Sequence, residues 1–281
     1  MPTPRGLFIA CAIGALTSAT VAGTMQPRVA IVAASTITAD AQNDPRFTDP
    51  RDKIMSTGLF SGVDIISVSN AGDSVGTPSL GDLQQYDAVI TWSNFSYDDP
   101  VAMGNVLADY VDAGGGVVVG LFANTSPNSG RFLEGRWNDP GSEYLAIPQN
   151  GGFTVGTTAT LVDIPSHPIF DGVNSFINDV GIGMNGPFGA WRPTNTNLTP
   201  GSTLIAQYDD GKTLAALAPN PKVVELGFHP VSDVVNDGYW NSGSDGALIM
   251  GNALLFAANI PAPGAIVLFA GAGLTTARRR R

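Results

Sequence analysis

Few residues in this chain are equipped for chemistry. The only cysteine is Cys11, and the only histidines are His167 and His229. Cys11 lies inside an N-terminal apolar segment, so the remainder of the chain has no thiolate for nucleophilic attack or metal binding. Two histidines far apart in sequence make a poor zinc case, and His167, beside Pro168, reads as a turn residue. His229 stands in Gly227-Phe228-His229-Pro230-Val231. A histidine acting as a base wants a carboxylate nearby to orient the imidazole. Ser126 and Ser129 lack the Gly-x-Ser-x-Gly setting that forces a strained nucleophile turn. Asp98, Asp99, Asp209 and Asp233 are the carboxylates that acid–base work would draw on, and each also reads as a turn or helix-start residue. Asp40, Asp44, Asp49 and Asp52 are spread along one polar loop without EF-hand spacing, which reads as a solvated loop rather than a calcium site. No metal and no cofactor is expected.

The element that would present a reactive group is the run Gly116–Phe122, launched by the turn Asp112–Gly115. A continuous apolar run between turn signals reads as a strand buried on both faces, as in the middle of a parallel sheet. Ligands in such sheets sit beyond the carboxyl ends of the strands, and there the chain places Phe122-Ala123-Asn124. Arg28–Ala34, Val63–Val68, Tyr86–Trp92 and Val223–Phe228 read as further strands. Helices are expected over Asp52–Gly58, Leu80–Gln85, Pro100–Ala113 behind the cap Asp98-Asp99, and Asp245–Asn259 with one packed side. Thr203–Tyr208 and Lys212–Ala218 flank Asp209-Asp210-Gly211, a hairpin signal. Residues 124–160 loosen into an irregular insertion, and Phe153–Val162 alternates like a strand. This alternation predicts an α/β fold, a doubly wound, mostly parallel sheet with an added β-hairpin.

The formal charge of the 281-residue chain is −10. Five basic residues lie in the terminal segments, so the body from Arg28 to Asn259 sets nine Lys/Arg against all 24 Asp/Glu. That balance argues against nucleic acid and anionic membrane surfaces as partners. Residues 1–23 combine Arg5, an apolar run and small residues around Ala22, the pattern of a secretory signal peptide. Residues 260–281 follow the folded body with Pro261-Ala262-Pro263, an apolar run over Ala265–Ala277 that is expected to form a transmembrane helix, and Arg278, Arg279, Arg280 and Arg281.

That three-part tail resembles the PEP-CTERM sorting signal, with Ala262 where the family usually has glutamate. The resemblance implies a bacterial protein held at the inner membrane by its C-terminal helix, then passed by an exosortase-type transpeptidase to the cell surface or matrix. The body, residues 28–259, resembles the class I glutamine amidotransferase-like (flavodoxin-like) fold, which includes ThuA-like proteins. Tyr86–Ile90, Gly116–Phe122 and Gly227–Pro230 carry that resemblance. It implies a nucleophile elbow at or beside Phe122 and a catalytic histidine at His229. With no cysteine in the body and Val231 where a glutamate should stand, glutamine hydrolysis by that route is excluded.

Strand ends in this fold converge on one crevice, expected to be lined by Ser35, Trp92, Asn94, Asn124 and His229 with Trp240 folding over. Aromatic faces and amides are suited to neutral sugars. The expected function is therefore a non-catalytic binding or extracellular-matrix protein, with an extracellular polysaccharide or other matrix component as partner. The alternative is an extracytoplasmic hydrolase of carbohydrates or esters.

Overall fold

The computed structural model describes residues 26–259. The leader, Cys11 and the sorting-type tail from Pro261 to Arg281 lie outside the described residues. Four strands open the fold: β1 (Arg28–Ala33), β2 (Gly62–Ser67), β3 (Ala88–Thr91) and β4 (Gly116–Val119). Short strands β5 (Phe153–Thr154), β6 (Ala159–Thr160), β7 (Ile177–Asn178), β8 (Val180–Gly183), β9 (Gly186–Gly189) and β10 (Arg192–Pro193) form small ribbons. The last three strands are β11 (Thr203–Gln207), β12 (Thr213–Leu217) and β13 (Val223–Leu226).

The main sheet runs β11-β12-β13-β4-β3-β1-β2. From β13 to β2 all neighbours are parallel, and β12 and β11 are added antiparallel. The five parallel strands thus have the doubly wound flavodoxin-type order, with its switch point between β1 and β3. Helices α1 (Pro45–Ser56) and α4 (Gly246–Ala257) cover one face, and α2 (Leu80–Leu83) and α3 (Pro100–Asp112) the other. Each buried strand feeds both cores: Val29, Ile31 and Ala33 of β1 face Phe47, Ile54 and Leu254, while Ala30 and Val32 face Leu83 and Leu107.

Several expectations need correction. Helix α1 begins at Pro45, well before Asp52, because Asp44 caps it by accepting from the Arg46 amide at 2.8 Å, and Pro45 suits the first helical turn. Phe153–Val162 is two short strands, because Gly156 turns the chain at φ +83° and donates to Gly189 O. Helix α4 is buried nearly all round, from Ile249 to Leu255, instead of along one side, since it packs against α1 as well as the sheet. No helix among the described residues is long and apolar enough to cross a membrane.

Candidate functional site

Beyond β4 the chain turns within a tight space. A Cβ on Gly120 would meet Pro230 Cγ at 2.8 Å and Trp92 Cβ at 3.2 Å. The Gly120 amide donates to Thr91 O at 2.7 Å and the Leu121 amide to Phe228 O at 3.0 Å, tying the turn to both neighbouring strands. Phe122 follows at φ +71°, in the left-handed region, which costs an L-residue about 1–2 kcal/mol. The turn after β4 is strained, and its residue at positive φ carries an aromatic ring.

His229 lies at the carboxyl end of β13, 3% exposed. Its imidazole sits 5.6 Å from the Phe122 ring and 6.4 Å, edge-on, from Trp92. Tyr239 stacks on it at 4.6 Å. Neither ring nitrogen has a hydrogen-bond partner among the described residues. Burial pushes its pKa down to about 3, because a charged imidazole would lose its hydration with nothing in return. Val231, two residues on, is fully buried.

Ser35 and Trp92 meet at the switch point. Trp92 Nε1 donates to Ser35 Oγ at 2.9 Å, and Ser35 Oγ donates to Arg46 O at 3.2 Å. Pro50 explains that second bond: it has no N–H, so the Arg46 carbonyl four residues earlier loses its helical donor, and Ser35 supplies one. Asn124 is fully buried, its Nδ2 donating to Leu226 O at 3.1 Å while Oδ1 has no partner among the described residues. Asn94 alone of the predicted lining is half-buried, held through its amide to Ala34 O at 2.9 Å.

Trp240 does not fold over this region. It packs against Phe176 and Phe228 in the core, its Nε1 donating to Pro230 O at 2.9 Å. The neighbouring Tyr239 takes the covering position instead. Two further rings, missed in the sequence, close the region: Phe153 and Trp191 lie 5.1 and 6.3 Å from Phe122. Trp191 also meets Phe188 at 5.9 Å and Tyr239 at 5.3 Å. Phe153, Phe188 and Trp191 are half-buried. The one local signal for Trp191 is the preceding Gly189-Ala190, both at positive φ, where a Cβ on Gly189 would strike Gly238 O at 2.2 Å.

The aspartates hold structure together. Asp99 caps α3 through the Val101 and Ala102 amides, Asp209 accepts from Thr160, and Asp233 from the Ser242 amide. Asp98 is exposed at the same helix start. Of the loop carboxylates, Asp40 accepts from Asn43, Asp44 caps α1, Asp49 accepts from Ser232 N and Oγ, and Asp52 pairs with Arg51. Among the described residues no three metal-ligating side chains cluster.

The strand ends thus gather Ser35, Trp92, Asn124 and His229 under an aromatic cover. This arrangement supplies backbone strain and a neutral imidazole, with a phenyl ring on the strained turn.

No family model matches the chain, and no curated protein matches it in sequence. Among solved structures, it is similar to a putative ThuA-like protein from Bacteroides uniformis ATCC 8492. The identity is 16% and the TM-score 0.52, over 85% of this chain and 94% of that one. The likeness shows a ThuA-like fold.

Proposed function

We propose that this chain is an exported, surface-delivered, non-catalytic binding or extracellular-matrix protein, built on a ThuA-like scaffold whose reaction centre is filled. The observation that carries the reading is Phe122: the strained turn survives at φ +71°, and a hydrocarbon ring occupies its apex. The neutral His229 beside it has neither a nucleophile to deprotonate nor a carboxylate to orient it.

Delivery rests on residues 1–23 and on the Pro261-Ala262-Pro263, apolar and four-arginine tail, which suit export and processing by an exosortase-type transpeptidase.

For binding, the half-buried Phe153, Phe188, Trp191 and Asn94 offer ring faces and an amide at the mouth of the filled centre. Such groups suit a neutral glycan. A glycan array followed by calorimetry tests this. Trp191→Ala should weaken any glycan bound by about tenfold while the circular dichroism spectrum stays native. Unchanged binding sinks this face. Turnover of an ester or glycoside that vanishes in a single serine or aspartate variant would make the protein a hydrolase instead.

A further inference from the structure

The rim around Phe122 is almost without charge. Phe122 packs on Phe153, Trp191 and His229, and the segments that meet about it include 92–97, 121–133, 145–162 and 180–191. Those segments hold none of the 24 Asp/Glu, and Arg131 is their only charged side chain. The loop that supplies Tyr239 adds Asp237 and Asp233, the latter held by the Ser242 amide.

Arg131 sits where the chain passes the end of β3, beside the switch point. Its carbonyl accepts from Ser93 Oγ, the Gly130 carbonyl accepts from the Tyr97 amide at 2.8 Å, and its own amide donates to Asn128 O at 3.3 Å. Earlier in the same loop Thr125 Oγ1 donates to Gly152 O at 2.8 Å, next to Phe153. The loop thus bridges the β3 end, with its half-buried Asn94, and the aromatic mouth. Every other arginine of the body has a carboxylate partner: Arg28 has Asp64, Arg46 has Asp44, Arg51 has Asp52, Arg136 has Asp109 and Asp112, and Arg192 has Asp210. Half-buried Arg131 makes no ion pair among the described residues. The amide of Ser126, a buried residue of the same loop, also finds no acceptor among the described residues, and a donor so placed calls for a partner.

We infer that Arg131 binds a carboxylate on the ligand of this face, so that the glycan is an acidic one carrying uronate units. That the ligand is a glycan rests on the proposed function; that it bears an anion rests on Arg131. A guanidinium matches the two oxygens of a carboxylate in one planar fork. A single guanidinium suits a singly charged group, whereas a phosphate ester brings nearly two charges and calls for more cations. With no carboxylate paired to it, Arg131 keeps its attraction for an incoming one. The ring faces take the apolar side of the sugar and Asn94 its hydroxyls. Elsewhere the acidic body repels such a polymer, which confines it to this rim.

Calorimetry on the detergent-solubilised full chain tests this with an oligogalacturonate and its methyl ester, in which the carboxylates are masked. The free acid should bind at least about tenfold more tightly than the ester, and added salt should narrow the gap. Arg131→Gln should abolish the preference and leave binding of the ester unchanged, with a native circular dichroism spectrum. Arg131→Lys should retain part of the preference, since it keeps the charge and loses the fork. Trp191→Ala should weaken acid and ester alike, which separates this inference from the proposed function. An ester bound as tightly as the acid would overturn the inference, as would a preference that survives Arg131→Gln or an oligogalacturonate that does not bind at all. In the first two cases a loss on Trp191→Ala would still leave the glycan-binding face standing.

Discussion

The Tyr239 ring lies nearly flat on the imidazole of His229, with 4.6 Å between centroids and 13° between planes. That contact, with Phe122 and Trp92 on other sides, keeps water from both ring nitrogens. The depressed pKa, about 3 against 6.5 in the unfolded chain, follows from it. The unfolded state therefore binds the proton first on acidification. Stability contributed by neutral His229 is complete above about pH 6.5 and is lost as pH falls toward 3, at about 1.4 kcal/mol per unit of depression. His229→Leu should flatten urea-midpoint curves between pH 6.5 and 4 relative to the parent. An unchanged slope would mean that the imidazole is solvated.

Glu225 pulls the other way. It is fully buried on β13, accepting from the Ala146 and Ile147 amides at 2.8 and 3.0 Å. Burial outweighs those two donors and raises its pKa to about 8. The folded state here holds the proton more tightly than the unfolded one. This contribution is therefore complete below about pH 4.5 and is lost as pH rises through 8. Glu225→Gln should flatten the alkaline side of the stability profile. Glu225→Ala should cost about 2–4 kcal/mol by stranding two buried amides beside a cavity. Denaturant titrations across pH 5 to 9 separate the two variants.

At the turn after β4, Phe122→Ala should destabilise the protein by about 3–5 kcal/mol, since Phe153, Trp191 and His229 lose the ring they pack on. Phe122→Gly removes the same ring but tolerates φ +71°. Glycine should therefore be more stable than alanine here by about 1 kcal/mol, the reverse of its usual rank. Alanine equal to or better than glycine would argue against the left-handed turn.

Ser35→Ala should cost about 1–3 kcal/mol by leaving Trp92 Nε1 and the Arg46 carbonyl without partners. Pro50→Ala restores a helical donor to that carbonyl. The loss on Ser35→Ala should accordingly be smaller in the Pro50→Ala background. A double-mutant cycle with no coupling would show that Pro50 has no part in it.

The parallel core was legible because local signals and burial agreed. Val117–Val119, Ala88–Thr91 and Arg28–Ala33 read as buried strands, and Asp99-Pro100 and the Asp209–Gly211 turn carried their own chemistry. Helix α1 hid behind Pro50, a residue that usually ends a helix and here has its orphaned carbonyl satisfied by Ser35 from another element. The apolar run placed the end of β4 before Phe122, but the rings that cover that end could not be read from sequence. Phe153, Trp191 and Tyr239 come from three separate segments held together by the long-range bonds Thr194 N to Gly152 O and Ala190 N to Gly238 O, and no local periodicity encodes those. Tyr239 and Trp240 read alike in sequence, yet one covers the site and the other enters the core.

The space around His229 is filled by the rings of Phe122, Trp92 and Tyr239, and the imidazole among them is neutral. Imidazole NMR across pH 8 to 3 tests this directly, since the body contains only His167 and His229. One imidazole, His229, should hold its neutral chemical shifts until the solution is well below pH 5, and should titrate nearer pH 6.5 only when Phe122→Ala opens the cover. A His229 that titrates near pH 6.5 in the unaltered protein would contradict this, because it would mean that water reaches the imidazole.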